Sequence, residues 1–291
     1  MFNVVDFVAD TNEIRRFAID DLLFVEYRCL VEETPSRYWS HKNYFAFVTG
    51  GKKKWVTPKA EYMVHDGEAI FIRRGAYLSH NYYDEEFCAL FIFIPDDFIK
   101  DVLMKMQTLP ASIQELEELD GIMRVDLDEA LKGYLHSMFS YFGRDKEIPR
   151  DLLKLKFEEL IMNVLINPKN RELQHYFYDL AKTTKIRIPE IMERNYTSRL
   201  SLAQFARMSG RSISTFKRDF TKVYGETPGK WLIRKRIHHA RLLLENTALS
   251  INEVAVQSGF ENTSHFIRVF KQCFSLPPQR YRQELLVQVS G

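Results

Sequence analysis

The sequence predicts a β domain followed by an α domain: a small barrel or jelly roll with helices after it, then an all-α region with two helix-turn-helix units joined by a long helix. Three observations carry this. Short apolar strands with closely spaced turns run from about residue 20 to 95, the apolar period changes to a helical one after Pro95, and the last third of the chain repeats itself.

The strand-like text is "LLFVEYRCLV", "YFAFVTG", "KKKWVT", "EAIFIRRG" and "CALFIFIP", punctuated at Gly50-Gly51, Asp66-Gly67 and Arg74-Gly75. Strands this short, with no helical pattern between them, predict closure into a barrel or jelly roll. Its interior is either packed solid or holds a small ligand. Tyr27, Trp55, Tyr62, Tyr77 and Phe93 are the candidates to line an effector pocket, although aromatic rings on such strands more often make ordinary core.

Helices are expected at about residues 96–182. "DDFIKDVLMKMQ", "LDEALKGYLHSMFSYF" and "RDLLKLKFEELIMNVL" space apolar residues by three and four, as in Leu152, Leu155, Leu160 and Val164. "ELQHYFYDLAKTTKIRI" adds another helix and then the domain boundary near Thr183 to Lys185, giving domains 1–184 and 185–291. Charge turns there too: residues 185–291 hold 18 Lys and Arg against 8 Asp and Glu, while residues 1–184 hold 23 against 31. A basic module suited to a polyanion is thus joined to an acidic one with another task.

The repeat sets "SLAQFARMSGRSISTFKRDFTKVYG" above "SINEVAVQSGFENTSHFIRVFKQCFS". Ser201, Ala206, Ser209 and Gly210 fall on Ser250, Ala255, Ser258 and Gly259; after one inserted residue Phe216, Phe220, Tyr224 and Pro228 fall on Phe266, Phe270, Phe274 and Pro278. Each copy opens on a capping-box pattern, Ser201 with Gln204 and Ser250 with Glu253. Each first helix ends at a Ser-Gly pair, and a second helix starts at Ser212 or Asn262. Helix, tight glycine turn and helix predict two helix-turn-helix units at about 201–223 and 250–273. Between them "TPGKWLIRKRIHHARLLLEN" reads as one helix with Thr227 as cap and Pro228 first, long enough to set two readers on neighbouring turns of a duplex.

On the second helix of the first unit Ile213, Phe216, Phe220 and Val223 share one side, and Arg211, Ser214, Thr215, Lys217, Arg218 and Lys222 occupy the rest. In the second unit Ser264, His265, Arg268 and Lys271 oppose Phe266 and Phe270. Hydroxyls and cations on an amphipathic helix are often merely solvated. Two such faces, each on the second helix of a unit in a basic region, point to double-stranded DNA. Arg218 and Arg268 are the foremost base-contact candidates. Asp219 falls outside both faces, either paired with a neighbouring cation or at the edge of the footprint.

These residues resemble the AraC/XylS family of bacterial transcription regulators over roughly residues 188–283. The resemblance rests on Leu200-Ser201-Leu202, Ala206, Gly210, Ser212, Phe220, Gly225, Pro228, Arg236, Ala240, Leu243-Leu244, Ile251, Val254-Ala255, "SGF", "HFIRVFK" and the closing Pro278, Tyr281 and Arg282. It implies base contacts from Ser214, Lys217 and Arg218 in the first recognition helix and Thr263, Ser264, Ile267 and Arg268 in the second. It also implies promoter binding and activation through RNA polymerase. Ser275 departs from it, standing where the family has glycine, and Arg211 and His265 replace residues usual there. The N-terminal half resembles the cupin-like barrel of such regulators, with a helical dimerisation segment making a homodimer and the barrel sensing a small-molecule effector. "FIRRGAY" with "KFEELIMNVL" resembles the subgroup that activates type III secretion genes, where a regulatory protein exerts control.

No enzyme or cofactor is expected, since His41, His65 and His80 stand apart and no phosphate loop, nucleophile elbow or cysteine pair occurs. The competing expectation is a cupin-type sensor or enzyme with an accessory DNA module. Cys29, Cys88 and Cys273 are odd in number, and no apolar run is long enough to cross a membrane, so a cytoplasmic protein is expected.

Overall fold

The computed structural model describes residues 1–11, 14–28, 35–82, 86–106, 119–142, 148–182 and 188–289. It divides into two compact units, Met1–Lys185 and Ile186–Gly291. The boundary expected at Thr183 to Lys185, and Cys29, lie outside the described residues.

The first unit runs β1 (Phe2–Asn3), α1 (Val4–Asp10), β2 (Arg15–Ile19), β3 (Leu22–Arg28), β4 (Ser36–Ser40), β5 (Asn43–Gly50), β6 (Lys52–Val56), β7 (Glu61–His65), β8 (Ala69–Ile72), β9 (Gly75–Asn81) and β10 (Cys88–Ile94). It ends with α2 (Asp96–Lys105), β11 (Ile122–Val125), α3 (Glu129–Phe142), α4 (Arg150–Ile166) and α5 (Arg171–Lys182).

The expected barrel does not close. The strands form a five-stranded sheet, β1-β4-β9-β6-β7, and a six-stranded sheet, β11-β8-β5-β10-β3-β2, with no ladder among the described residues joining one to the other. Each sheet ends on short strands. At the six-stranded sheet α4 packs against edge strand β2 and α5 against β11, so those edges meet helices instead of continuing into the other sheet. The result is a sandwich of jelly-roll type.

Its six-stranded sheet is buried on both faces. Phe24, Phe45, Phe47, Phe71, Leu90 and Ile92 point outward into a core shared with α2 to α5, where Phe24 meets Phe157 at 4.0 Å between ring centres. The alternate residues Val25, Tyr27, Tyr44, Ala46, Ile70 and Phe91 point inward into a second core shared with the other sheet. This two-sided burial explains why β5, β8 and β10 read as unbroken apolar runs instead of alternating ones. The five-stranded sheet has only its inner face covered, and β6 accordingly alternates, burying Lys53 and Trp55 between half-buried neighbours. Of the paired arginines after β8, Arg73 lies over the Tyr176 ring at 4.5 Å, and Arg74 pairs with Asp96, which also accepts from Asn43 Nδ2 at 2.7 Å.

The second unit contains α6 (Ile188–Asn195), α7 (Leu202–Met208), α8 (Ile213–Tyr224), α9 (Pro228–Asn246), α10 (Ile251–Gln257), α11 (Thr263–Phe274) and α12 (Pro278–Val289). Both capping boxes form, Ser201 with Gln204 and Ser250 with Glu253. Ser212 and Asn262 cap α8 and α11 through their side-chain oxygens. Thr227 stands at the cap of α9 without a side-chain bond, and Pro228 removes one of the amide donors that such a cap would serve. With 19 residues, α9 is about 28 Å long.

Candidate nucleic-acid interface

In each helix-turn-helix the second helix is held from beneath by its phenylalanines. Phe216 and Phe220 are fully buried, and Phe220 stacks on Tyr224 at 4.5 Å and meets Trp231 of α9 edge-on at 5.9 Å. In the second unit Phe266 and Phe270 are buried with Ile237, Ala240 and Leu244 of the same α9. One long helix thus supports both readers, and each turns its polar side outward.

The tight turn of the second unit has a lock beneath it. Gly259 takes φ +86°, and an added Cβ would lie 2.5 Å from the Thr197 carbonyl oxygen. Beside it the Arg236 guanidinium donates to Tyr196 O at 2.6 Å and Ser198 O at 2.8 Å, tying the α6–α7 connection to α9. Burial pushes the Arg236 pKa down, and the backbone carbonyls keep the charged form bonded.

The outer faces sort the predicted residues. Ser214, Lys217, Arg218 and Lys222 of α8 are exposed, the Arg218 side chain to 65%. Ser264, His265, Arg268 and Lys271 of α11 are exposed, and Ile267 lies among them at 37% exposure. Thr215 is half-buried and its hydroxyl accepts from Ser212. Thr263, also half-buried, donates to Asn252 Oδ1 of α10 at 2.6 Å, which ties the start of α11 to the helix before it. His265 sets its ring edge-on to Phe260 at 5.9 Å.

Arg211 is drawn inward. Its side chain is only 14% exposed, with Nε to Asp219 Oδ2 at 3.2 Å and Nη1 donating to Ser209 O at 2.8 Å. Asp219 also faces Arg218 Nε at 3.5 Å, so the acid that fits neither helix face braces the turn to the recognition helix. Burial tends to raise the Asp219 pKa, but the Arg211 hydrogen bond and the Arg218 and Arg211 charges hold it below the usual carboxylate range.

The expected effector-lining aromatics separate in the first unit. Tyr27 and Trp55 line a narrow, water-sized cavity, with Phe2, Phe7, Tyr38 and Phe91 among the other walls. Tyr62 instead donates to Asp120 Oδ2 at 2.7 Å, and Tyr77 to the Arg73 and Gly121 carbonyls at 2.5 and 3.0 Å. Phe93 packs in the inner core against Tyr44, at 4.9 Å between ring centres. The sequence reading missed Lys53 and Ser79 on the cavity wall. The alternation that puts Lys53 on the same face as Trp55 was the available signal.

Comparison with known proteins finds a family described as the ExsA N-terminal regulatory domain over residues 43–176 and one described as a helix-turn-helix domain over residues 205–284. The HTH-type transcriptional regulator ExsA of Pseudomonas aeruginosa is 29% identical over 218 residues, 75% of this chain and 77% of that one. The virulence regulon transcriptional activator VirF of Yersinia enterocolitica is 26% identical, over 80% of this chain and 86% of its own. The chain thus joins an ExsA-type N-terminal regulatory domain to an AraC-type helix-turn-helix domain and is homologous to these two regulators. With that domain and these relatives it is a DNA-binding transcription regulator. Among solved structures, an apo ToxT variant from Vibrio cholerae aligns over 93% of this chain and 100% of that one, at 15% identity and TM-score 0.45. No helix among the described residues is long and apolar enough to cross a membrane.

Proposed function

We propose that the protein is a cytoplasmic transcription activator that grips promoter DNA with α8 and α11 and recruits RNA polymerase. It works as a homodimer without enzymatic activity or cofactor, and takes its regulatory input through the N-terminal unit. The observation that carries the reading is the pair of exposed polar faces at equivalent positions of a duplicated unit, backed by one helix. Lys217, Arg218 and Ser214 are the contacts of the first reader, with Lys222 on phosphate. Ser264, Ile267, Arg268 and His265 are those of the second, with Lys271 on phosphate. Arg211, Thr215 and Thr263 position these helices. The names of the relatives, a transcriptional regulator and an activator of a virulence regulon, support activation, and the match to an ExsA-type regulatory domain supports N-terminal control by an effector or a regulatory protein.

Genome-wide mapping of the protein in its native host tests this reading. Enrichment is expected at a small set of promoters whose transcription falls when the gene is deleted. Uniform occupancy, or enrichment without any change in transcription, overturns it. Sedimentation of the full chain with and without promoter DNA tests the dimer.

A further inference from the structure

The duplication in the basic unit supplies an internal control for the acid of the first reader. Asp219 of α8 falls on Val269 of α11, as Arg218 falls on Arg268, and Arg211, which follows Gly210, falls on Phe260, which follows Gly259. Phe260 and Val269 are buried, at 4% and 8% exposure, in one apolar core. At the same two places the first unit carries an ion pair, Arg211 Nε to Asp219 Oδ2 at 3.2 Å. A partly buried ion pair is no more stabilising than a well-packed apolar contact, so stability does not account for the exchange.

What the exchange adds is a second carboxylate oxygen that Arg211 does not use. Asp219 Oδ1 lies 3.5 Å from Arg218 Nε. Arg211, which holds the other oxygen, is itself tied to the Ser209 carbonyl through Nη1 at 2.8 Å. A chain of contacts therefore runs from the backbone of the turn through Arg211 and Asp219 to Arg218, from side chains 14% and 29% exposed to one 65% exposed. Arg268 has no such support. No carboxylate among the described residues pairs with it, and its neighbour Val269 belongs to the core.

We propose that Asp219 is a positioning residue for base reading. It holds Arg218 by Nε, leaves Nη1 and Nη2 as the fork that fits N7 and O6 of one guanine, and so makes α8 the more exacting of the two readers. A bidentate fork distinguishes guanine only while its plane is fixed, and an unsupported arginine has to be ordered at the moment of binding. The support supplies that order beforehand, which the usual ordering cost of one long side chain sets at about three- to tenfold in discrimination. A carboxylate this close to a phosphate backbone also repels it, so Asp219 lowers affinity for unselected sequence while it sharpens the choice among bases. The inference rests on the reading of α8 as a DNA reader given above.

The probe is a pool of randomised duplexes, selected and sequenced with the full chain and with Arg218→Ala, Arg268→Ala, Asp219→Asn and Asp219→Glu. Arg218→Ala marks the guanine position that this residue reads, and Arg268→Ala marks the position read by its counterpart. Asp219→Asn keeps the shape of a partly exposed side chain and removes its charge. It is expected to lower guanine preference about three- to tenfold at the first position and to leave the second unchanged. Its affinity for an unrelated duplex, measured by fluorescence anisotropy, is expected to hold or rise. Asp219→Glu restores the charge and is expected to keep most of the preference. A merely structural loss would instead weaken every position of the α8 half-site and the unrelated duplex together. Unchanged guanine preference in Asp219→Asn, or that uniform weakening, overturns the proposal and leaves α8 a reader. If Arg218→Ala marks no position at all, the reading of α8 falls together with the proposal.

Discussion

A Cβ placed on Gly259 should cost the second helix-turn-helix far more than one placed on Gly225, although both glycines have left-handed backbones. At Gly225, φ is +70° and nothing lies within 4 Å of an added Cβ, so Gly225→Ala carries only the conformational cost, roughly 1–2 kcal/mol. At Gly259 the same cost applies, and the new carbon meets Thr197 O at 2.5 Å, Thr197 C at 2.9 Å and Arg236 Nε at 3.0 Å. Those atoms are backbone and a buried guanidinium, so neither gives way cheaply. Shifting them pulls on the carbonyls of Tyr196 and Ser198 that hold Arg236. Loosening one hydrogen bond to a charged group adds about 1.5–3 kcal/mol, for a total of roughly 2.5–5 kcal/mol. Hydrogen exchange of the α10 and α11 amides in the full chain reads this locally, and Gly259→Ala should speed their exchange by about a hundredfold or more. Equal effects of the two substitutions, each in its own unit, would refute the idea that Arg236 and Thr197 form a lock beneath the turn.

Ser275 is the counterpart of Gly225 and takes φ +65° with a side chain attached. Ser275→Gly should therefore raise stability by up to about 1 kcal/mol, read as a higher unfolding temperature. Arg218→Ala and Arg268→Ala should each weaken binding to a cognate promoter by about 1–3 kcal/mol in fluorescence anisotropy and blunt discrimination against altered bases. Unchanged affinity in both would remove the recognition role from these faces. Since the folded Asp219 carboxyl titrates below its ordinary 3.8, its bracing of Arg211 is present above that pH and is lost as pH falls through the lower folded value. Asp219→Asn should accordingly flatten the acid limb of the stability profile below about pH 4, and an unaltered limb would argue against the brace.

The C-terminal unit was legible because its helices carry their own punctuation. Capping pairs, Ser-Gly stops and the proline of α9 act within a few residues, and the duplication stated each of them twice. Less could be read where a feature depends on distant partners. Barrel closure was misjudged because the outcome rests on edge strands: β1 is two residues long and β11 comes after α2, outside the run of strands. The helix α1 was missed as well, since its cap, Asn3, bonds the Val5 and Asp6 amides inside a stretch that otherwise reads as apolar. Cavity walls came from six separated stretches, so Ser79 looked like any strand serine and Lys53 like one of three surface lysines. Arg211 read as a DNA-facing cation because the acid that claims it lies eight residues further along, more than two helical turns away.

The internal ties of the basic unit also set how its affinity should respond to salt. Arg211 is taken up by Asp219 and a carbonyl, Arg234 by Glu226, Lys235 by Glu193 and Arg236 by two carbonyls. Charges already compensated within the fold displace few condensed counterions from a duplex. The logarithm of the binding constant against that of salt concentration falls by about 0.9 for each phosphate met by a cation. Its slope will therefore count the outward Lys217, Arg218, Lys222, Arg268 and Lys271, and fall well short of the excess of ten cations that residues 185–291 carry.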